Sequence, residues 1–488
     1  LDLKVEVFPL PEKMMRDRSG YFKPGSGKMP AKMTVSSRAL GKSGLIEPRM
    51  DGVAPFPQDL RAEHGYDTQG DHLSLSPLLM EDFFRLSQSI VKSPSFNPKN
   101  VGVWKKYFEE PKPELNQMDV LETRLRSLLT LAFRRPVEDP TFQKYFSYAK
   151  EQMDNSLGTG EVMKEILSAI LASPRFLYLY DQDGKESTHP KLSQNLDLVT
   201  RLSFFLWGSL PDEELLQTAK KGVLVEEEQL RKQVDRMLTD NKLKRFCDSF
   251  PTQWLQLDRI ISAVPDEKKY RDFYYAAPLY RTTMDMMMEP LLLFETVLIE
   301  DRSILELIDS NFTYRSSRLR KWYGEDPGGK LSGPVSMAFQ RQSVEDRRHG
   351  GVITNGAVMT MTSGPLETKP ITRGAWIAGV IFNSPPPPPP AEVPPLPEEK
   401  EVDLSMTLRE RFADHRERAD CAGCHEKLDP LGFALENFDP VGRWREKYHN
   451  GREVDASGTL FRTHEFSNVV EFKDAILKEK NRFVRGLA

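Results

Sequence analysis

Asp119-Val120-Leu121-Glu122-Thr123-Arg124-Leu125-Arg126-Ser127-Leu128-Leu129-Thr130-Leu131 is the stretch from which the fold is read. Leu121, Leu125, Leu128, Leu129 and Leu131 return at helical spacing, so one stripe of an α-helix is apolar. The period recurs downstream. Asp139-Pro140 opens a helix whose apolar face is Phe142, Tyr145 and Phe146. Ile166, Ile170 and Leu171 mark a third helix. Leu202, Phe204, Phe205 and Leu206 mark a fourth, ending before Pro211-Asp212, and Leu230, Val234 and Met237 a fifth. Met284 to Leu298 is a long apolar helix through Leu291, Leu292, Phe294 and Val297. Upstream, Ser76-Pro77 supplies an N-cap and a proline at the first helical position, ahead of Leu78, Leu79, Phe83, Phe84 and Leu86. Alternating β-type segments are few. The reading is mainly α, multidomain helical bundles, with an irregular N-terminal region where Gly20, Pro24, Gly25, Gly27 and Pro30 crowd together.

At about 100–200 residues per domain, 488 residues make three or four domains. Hydrophobic residues are 39% and charged residues 29%, which suits packed cores and excludes a wholly disordered chain. Lys plus Arg is 68 against 72 for Asp plus Glu, a net charge of −4, so the basic surplus of a general nucleic-acid binder is missing. The best apolar run, Ala375 to Phe382, falls far short of the roughly 18–20 residues of a membrane helix. Three cysteines exclude a disulfide framework. The first residues, Leu-Asp-Leu-Lys-Val-Glu, have neither the basic start nor the apolar core of a secretory leader, so location is argued from chemistry.

The expected domains are an irregular region plus helix over 1–115, helical modules over 116–182 and 190–330, a module over 340–450 and a further piece over 451–488. Inside the fourth, Pro385 to Pro397 holds six consecutive prolines and three more. That is a polyproline II strap at about 3.1 Å per residue. A charged helix over Leu408 to Glu417 leads from it into the chemistry.

That chemistry is Cys421-Ala422-Gly423-Cys424-His425. Two thiols two residues apart can form thioethers to the vinyl groups of a haem, and the adjacent imidazole can turn beneath the ring as proximal iron ligand. Fold and motif together describe helical bundles with a cytochrome c-like haem domain, and haem c is the expected cofactor. Zinc and a redox dithiol are the competing readings. Zinc needs four ligands, to which His415 and His449 could contribute. Cys247, far upstream, reads as a core residue. Asp429-Pro430 caps and begins a short helix carrying Leu431, Phe433, Leu435 and Phe438, which can wall an apolar cleft, and a backbone carbonyl near Pro430 would take the Nδ1–H of His425. Arg443, Trp444 and Arg445 are candidates for the haem surroundings, opposite the propionates. No methionine follows His425. Candidate distal ligands are therefore Met359 and Met361 upstream, with Met406, His449 and His464 as further choices and an open position as another.

Arg347-Arg348-His349-Gly350-Gly351-Val352-Ile353-Thr354, Met361-Thr362-Ser363, Thr372-Arg373-Gly374 and the proline run resemble the large multidomain cytochrome c-type proteins of planctomycetes. The resemblance extends through Cys421 to His425, Asp429-Pro430-Leu431-Gly432-Phe433-Ala434-Leu435-Glu436-Asn437-Phe438-Asp439 and Gly442-Arg443-Trp444-Arg445. Ala132-Phe133-Arg134-Arg135-Pro136-Val137 with Ser173-Pro174-Arg175-Phe176-Leu177-Tyr178 resembles a second module. Arg201-Leu202-Ser203-Phe204-Phe205-Leu206-Trp207 with Pro211-Asp212-Glu213-Glu214 resembles a third, and His72 to Leu79 an N-terminal one. The resemblance covers roughly residues 60–488. It implies an exported haem protein whose haem-binding pattern carries onto Cys421, Cys424 and His425, and it supplies no substrate. Family members commonly carry a further N-terminal cytochrome c domain, whereas this chain has one CxxCH. Ser457-Gly458-Thr459-Leu460 resembles the start of a C-terminal domain. Both ends are expected to be incomplete.

The function expected is electron transfer through a single covalent haem. Haem oxidoreduction of a peroxidase-like kind is the alternative, with His349 and Glu345 as acid–base groups. A cell-envelope structural or binding protein with an accessory haem is the third. A redox partner protein or other subunits of a larger complex would be the partners, with no nucleic acid and no membrane span. Haem attachment outside the cytoplasmic membrane places the chain in a periplasm-like compartment.

Overall fold

The computed structural model describes residues 33–36, 76–179, 190–275, 282–325, 336–387, 405–413 and 419–488. The chain divides at Phe246 and Cys247 into two compact units, and the strand at 33–36 belongs to the second. Both units are mostly helical, as the sequence period requires.

In the first unit α1 (Pro77–Lys92) begins where Ser76 Oγ accepts the Leu79 N–H, with Pro77 in the first turn. It is followed by α2 (Gln117–Phe133), α3 (Asp139–Asp154) and α4 (Thr159–Leu171). Leu121, Leu125, Leu128 and Leu129 of α2 join Phe142, Val162, Met163, Ile166 and Ile170 in one buried cluster. Each such side chain contributes about 1.5–3 kcal/mol on leaving water. The expected fourth and fifth helices are α5 (Pro190–Trp207) and α7 (Glu227–Leu238). Between them α6 (Glu213–Lys220) starts on Asp212, whose carboxylate accepts the Leu215 N–H. Arg134 leaves α2 in the left-handed region at φ 60°. Its buried guanidinium donates to the carbonyls of Arg175, Phe176 and Tyr178 at 2.8–3.0 Å. The two sequence segments of the second resembling module therefore meet through one arginine. Burial lowers its pKa to about 10, so it stays a cation.

The helix α8 (Lys244–Trp254) carries the chain onward, with Cys247 buried in it. In the second unit α9 (Thr283–Ile299) is the long apolar helix expected. A three-stranded antiparallel sheet in the order β1-β3-β2 joins β1 (Met33–Ser36), β2 (Phe312–Ser316) and β3 (Ser336–Ser343), with Met33 opposite Phe339 and Phe312 opposite Ser343. The strand at 33–36 is a departure from the wholly irregular N-terminal region expected. The rest of residues 1–75 lie outside the described residues, as do His415 and most of the proline strap, Pro388 to Pro397. Pro385 to Pro387 have no regular structure.

Downstream come α10 (Ser317–Trp322), α11 (Gly356–Met361), α12 (Pro370–Trp376) and α13 (Ala419–Phe433). A small hairpin, β4 (Gly458–Leu460) with β5 (His464–Phe466), and two helices, α14 (Val469–Lys478) and α15 (Lys480–Leu487), follow. Of the charged helix expected over Leu408 to Glu417, the structure describes its start, a short turn at Leu408–Arg411 held by a capping box between Thr407 and Glu410, while residues 414–418 lie outside the described residues. Among the described residues no helix is long and apolar enough to cross a membrane.

Candidate functional site

The Cys-x-x-Cys-His segment lies on α13, and two glycines set that helix in place. A Cβ on Gly432 would sit 1.8 Å from the Pro370 carbonyl oxygen, and one on Gly374 would sit 2.2 Å from that of Leu428. The backbones of α12 and α13 thus touch at a crossing that no larger residue admits. β4 packs on the same helix, with Gly458 beside Pro430.

The segment after α13 is held by buried charge. Arg373 on α12 is fully buried and donates to the carbonyls of Leu435 and Phe438 at 2.8 Å and of Asp439 at 3.0 Å. Glu436, equally buried, accepts from Thr368 at 2.7 Å, from Arg445 at 2.9 Å and from Tyr448, and lies 3.4 Å from Arg373. Burial lowers Arg373 to about 10 despite Glu436, so the guanidinium stays a cation at neutral pH. Arg445, one of the propionate candidates, is committed to this carboxylate.

The expectation of a helix starting at Asp429-Pro430 is corrected. α13 runs unbroken from Ala419 through Pro430 to Phe433. Proline inside a helix leaves the carbonyl four residues earlier without its donor, at a cost of about 3 kcal/mol in an isolated helix. Here packing on α12 and β4 outweighs that cost. Asp429 is consequently a helix-interior residue. Its Oδ1 lies 2.8 Å from His425 Nδ1, one turn away. A carboxylate only accepts, so Nδ1 carries the hydrogen and Nε2 of the neutral ring keeps its lone pair. The expected carbonyl acceptor is thereby replaced by a carboxylate, a stronger orienting partner. Asp429 was missed as a site residue. The His-x-x-x-Asp spacing that signals it was in the sequence, but Asp-Pro was read there as a cap.

Cys424 is an exposed free thiol, and a Cβ on Gly423 would meet nothing within 4 Å. Of Cys421 the structure describes the backbone, on the first turn of α13. An outward thiol, open space beside it and an imidazole with a fixed tautomer fit a group attached across Cys421 and Cys424 with iron on His425. Among the described residues no set of three or more His, Cys, Asp and Glu side chains gathers to hold a bare metal ion.

The other candidates lie as follows. Met359 and Met361 are buried on α11, which packs against α9 and the 3-10 turn Leu257–Ser262. Gly442 touches the start of α11 at Gly356, so the turn carrying Arg443 and Trp444 abuts the methionine helix. The Arg443 guanidinium lies 3.8 Å from the Trp322 ring centre, and Trp444 lies between Phe438 at 5.3 Å and the Arg348 guanidinium at 4.3 Å. His349 stands between the rings of Tyr323 and Phe438 at 5.5 and 5.6 Å. Burial, aided by Arg315, pushes its pKa down to about 3, so it is neutral, while Glu345 is exposed. Met406 and His449 line one cleft with Tyr270 and Tyr448. His464 Nε2 is 3.1 Å from Glu479 Oε1 and donates to it.

The class these features define is a multidomain helical protein whose last part carries a Cys-x-x-Cys-His helix. Four family models match the chain in order: PSD3 (DUF1587) at 44–93, PSD5 (DUF1595) at 121–181, PSD4 (DUF1592) at 194–324 and PSCyt3 (DUF1588) at 349–448, each described as a protein of unknown function. These models are domain types of the planctomycete cytochrome c-type proteins that the sequence resembles. No curated protein and no solved structure matches the chain.

Proposed function

We propose that this chain is an exported c-type haem protein that transfers electrons through one haem attached at Cys421 and Cys424, with His425 as the iron's proximal ligand. The observation that carries the reading is the 2.8 Å contact of His425 Nδ1 with Asp429, one residue from an exposed thiol. The bound group would supply a one-electron iron couple. Asp429 holds the imidazole in the tautomer that presents Nε2 and raises its basicity. Gly432 and Gly374 clamp α13 on α12, which would hold the His425 backbone in place beneath a bound group. Met359 and Met361 are the proposed distal ligands. Haem is attached outside the cytoplasmic membrane, which supports an extracytoplasmic location and a redox protein or companion subunit as partner.

The test is the ferrous absorption spectrum before and after carbon monoxide. A c-type spectrum indifferent to carbon monoxide supports two firm axial ligands and electron transfer. A shifted spectrum replaces that reading with a haem oxidoreductase. A haem-free protein after expression with the attachment machinery overturns both.

A further inference from the structure

We propose that a cleft in the second unit, lined by residues of the segments 269–270, 366–367, 406–411 and 439–450, binds a small neutral ring that carries hydroxyl groups. None of the residues assigned to the haem under the proposed function lines this cleft, so the inference goes beyond that reading and does not rest on it.

Segments far apart in sequence are pinned together to form the walls. The Asp266 N–H donates to the Pro365 carbonyl at 2.9 Å, and Lys269 Nζ donates to the Leu366 carbonyl at 3.3 Å. Asn450 Nδ2 donates to the Met406 carbonyl at 3.2 Å, and the Tyr448 hydroxyl donates to buried Glu436. The cleft is therefore a product of packing rather than of one loop. Its volume is about 170 Å³. An apolar cavity of about 150 Å³ holds one benzene-sized molecule, so the space here admits a single ring. Leu366, Met406, Leu408, Tyr270 and Tyr448 supply the apolar wall, which suits the faces of such a ring.

The polar groups on the lining decide what the ring carries. Arg411 is paired with Glu367 at 2.8 Å, and Arg445 with Glu436 at 2.9 Å. Lys269 and Asp439 remain, one cation and one anion, and neither has an ion-pair partner among the described residues. Asp439 Oδ1 accepts the N–H groups of Val441 and Arg443 at 2.9 and 2.8 Å, while its Oδ2 accepts from none of the described residues. The Tyr270 hydroxyl is likewise without a hydrogen-bond partner among them. Burial, with the charge of Asp439 nearby, pushes its pKa up, so it stays a neutral donor. The lining thus offers an ammonium that donates, a carboxylate that accepts and a hydroxyl that does both. A ligand hydroxyl is also donor and acceptor at once, and it carries no charge. Hydroxyl groups on one ring can engage all three. A plain hydrocarbon ring would displace water from them without replacing its hydrogen bonds, and an ionised ring of either sign would meet a like charge. An aromatic diol and a sugar share the required chemistry.

The experiment titrates the full chain calorimetrically with catechol, kept under argon, and with methyl glucoside. Benzoate and cyclohexylammonium serve as charged rings of similar size. At least one hydroxylated ring should bind, about tenfold or more tighter than either charged ring. Asp439→Asn retains Oδ1 for the turn, and Lys269→Met retains the length of an exposed side chain. Each should weaken binding about tenfold, the loss expected for one hydrogen bond to a charged group. Lys268→Met, on an exposed neighbour that does not line the cleft, should bind as the parent does. Binding of catechol alone assigns an aromatic diol, and binding of methyl glucoside alone assigns a sugar. The proposal is overturned if neither binds, if a charged ring binds as tightly, or if binding survives both cleft variants. Any of these results leaves the haem reading standing, since the ferrous spectrum judges that separately.

Discussion

Asp429 is the residue on which the chemistry of the site turns. With the proposed haem bound, the carboxylate would make the His425 imidazole a more electron-rich ligand and would favour the ferric state. Asp429→Ala should therefore raise the reduction potential of the haem-loaded protein, and Asp429→Asn, which retains a carbonyl acceptor, should fall between; redox titration followed at the α band checks this. An unchanged potential in both would remove Asp429 from the site. Glu436 is the second decisive residue. Truncation to alanine leaves Arg373 buried without its counter-charge, a loss of about 3–5 kcal/mol. The urea midpoint of Glu436→Ala should drop accordingly, whereas truncation of the exposed Glu122, in an i,i+4 pair with Arg126, should cost under about 1 kcal/mol.

Among the elements, α12 and α13 are defined by their crossing. Gly432→Ala inserts a methyl where the Pro370 carbonyl already stands, so α13 must move or the crossing must open. A loss of about 1–3 kcal/mol or more is expected from such overpacking, read from thermal unfolding. Gly423→Ala on the same helix has open space and should be neutral or slightly stabilising, since alanine favours helix over glycine by about 1 kcal/mol. A neutral Gly432→Ala, or a loss at Gly423 as large as at Gly432, would deny the crossing. The helices α2 to α4 were legible because their apolar residues repeat at 3.6, and α1 because Ser76-Pro77 is a local start signal. α11, α12 and α15 were not, because each is short and its stability comes from neighbours rather than from its own pattern. The passage of α13 through Pro430 was not legible either, because packing on α12 and β4 rather than the local pattern carries the helix past the proline.

On the scale of the second unit, Lys473 of α14 ties the chain's last segment to the loop Arg347 to Gly350. Fully buried, it donates to the carbonyls of Arg347 at 2.6 Å and Gly350 at 2.5 Å, while Arg347 joins Asp309 and Asp474 at 2.6 Å. Gly351, at φ 76°, lets that loop lie on the Ile308 carbonyl, which explains the paired glycines after His349. Burial lowers the Lys473 pKa to about 7 from an ordinary 10.5, with Asp309 opposing the shift. Between those values the unfolded chain binds the extra proton and the folded chain does not, so raising the pH favours the folded state. Stability should rise from pH 7 towards pH 10 in the parent, relative to Lys473→Met, in paired urea titrations. Parallel profiles would show that the lysine keeps its ordinary proton affinity.

The sequence by itself determined the helical class, the principal long helices of the first unit and the Cys-x-x-Cys-His segment. All three are local: a 3.6 period, a cap or a contiguous motif needs no knowledge of distant residues. The tertiary structure decided which groups serve that segment. Arg373 reaches Glu436, and Gly374 admits the backbone of α13, across more than fifty residues of chain. Lys473 reaches Gly350 across more than a hundred. Such partners are chosen by burial, which charges a high desolvation cost for any mismatch, and burial exists only once the elements have packed.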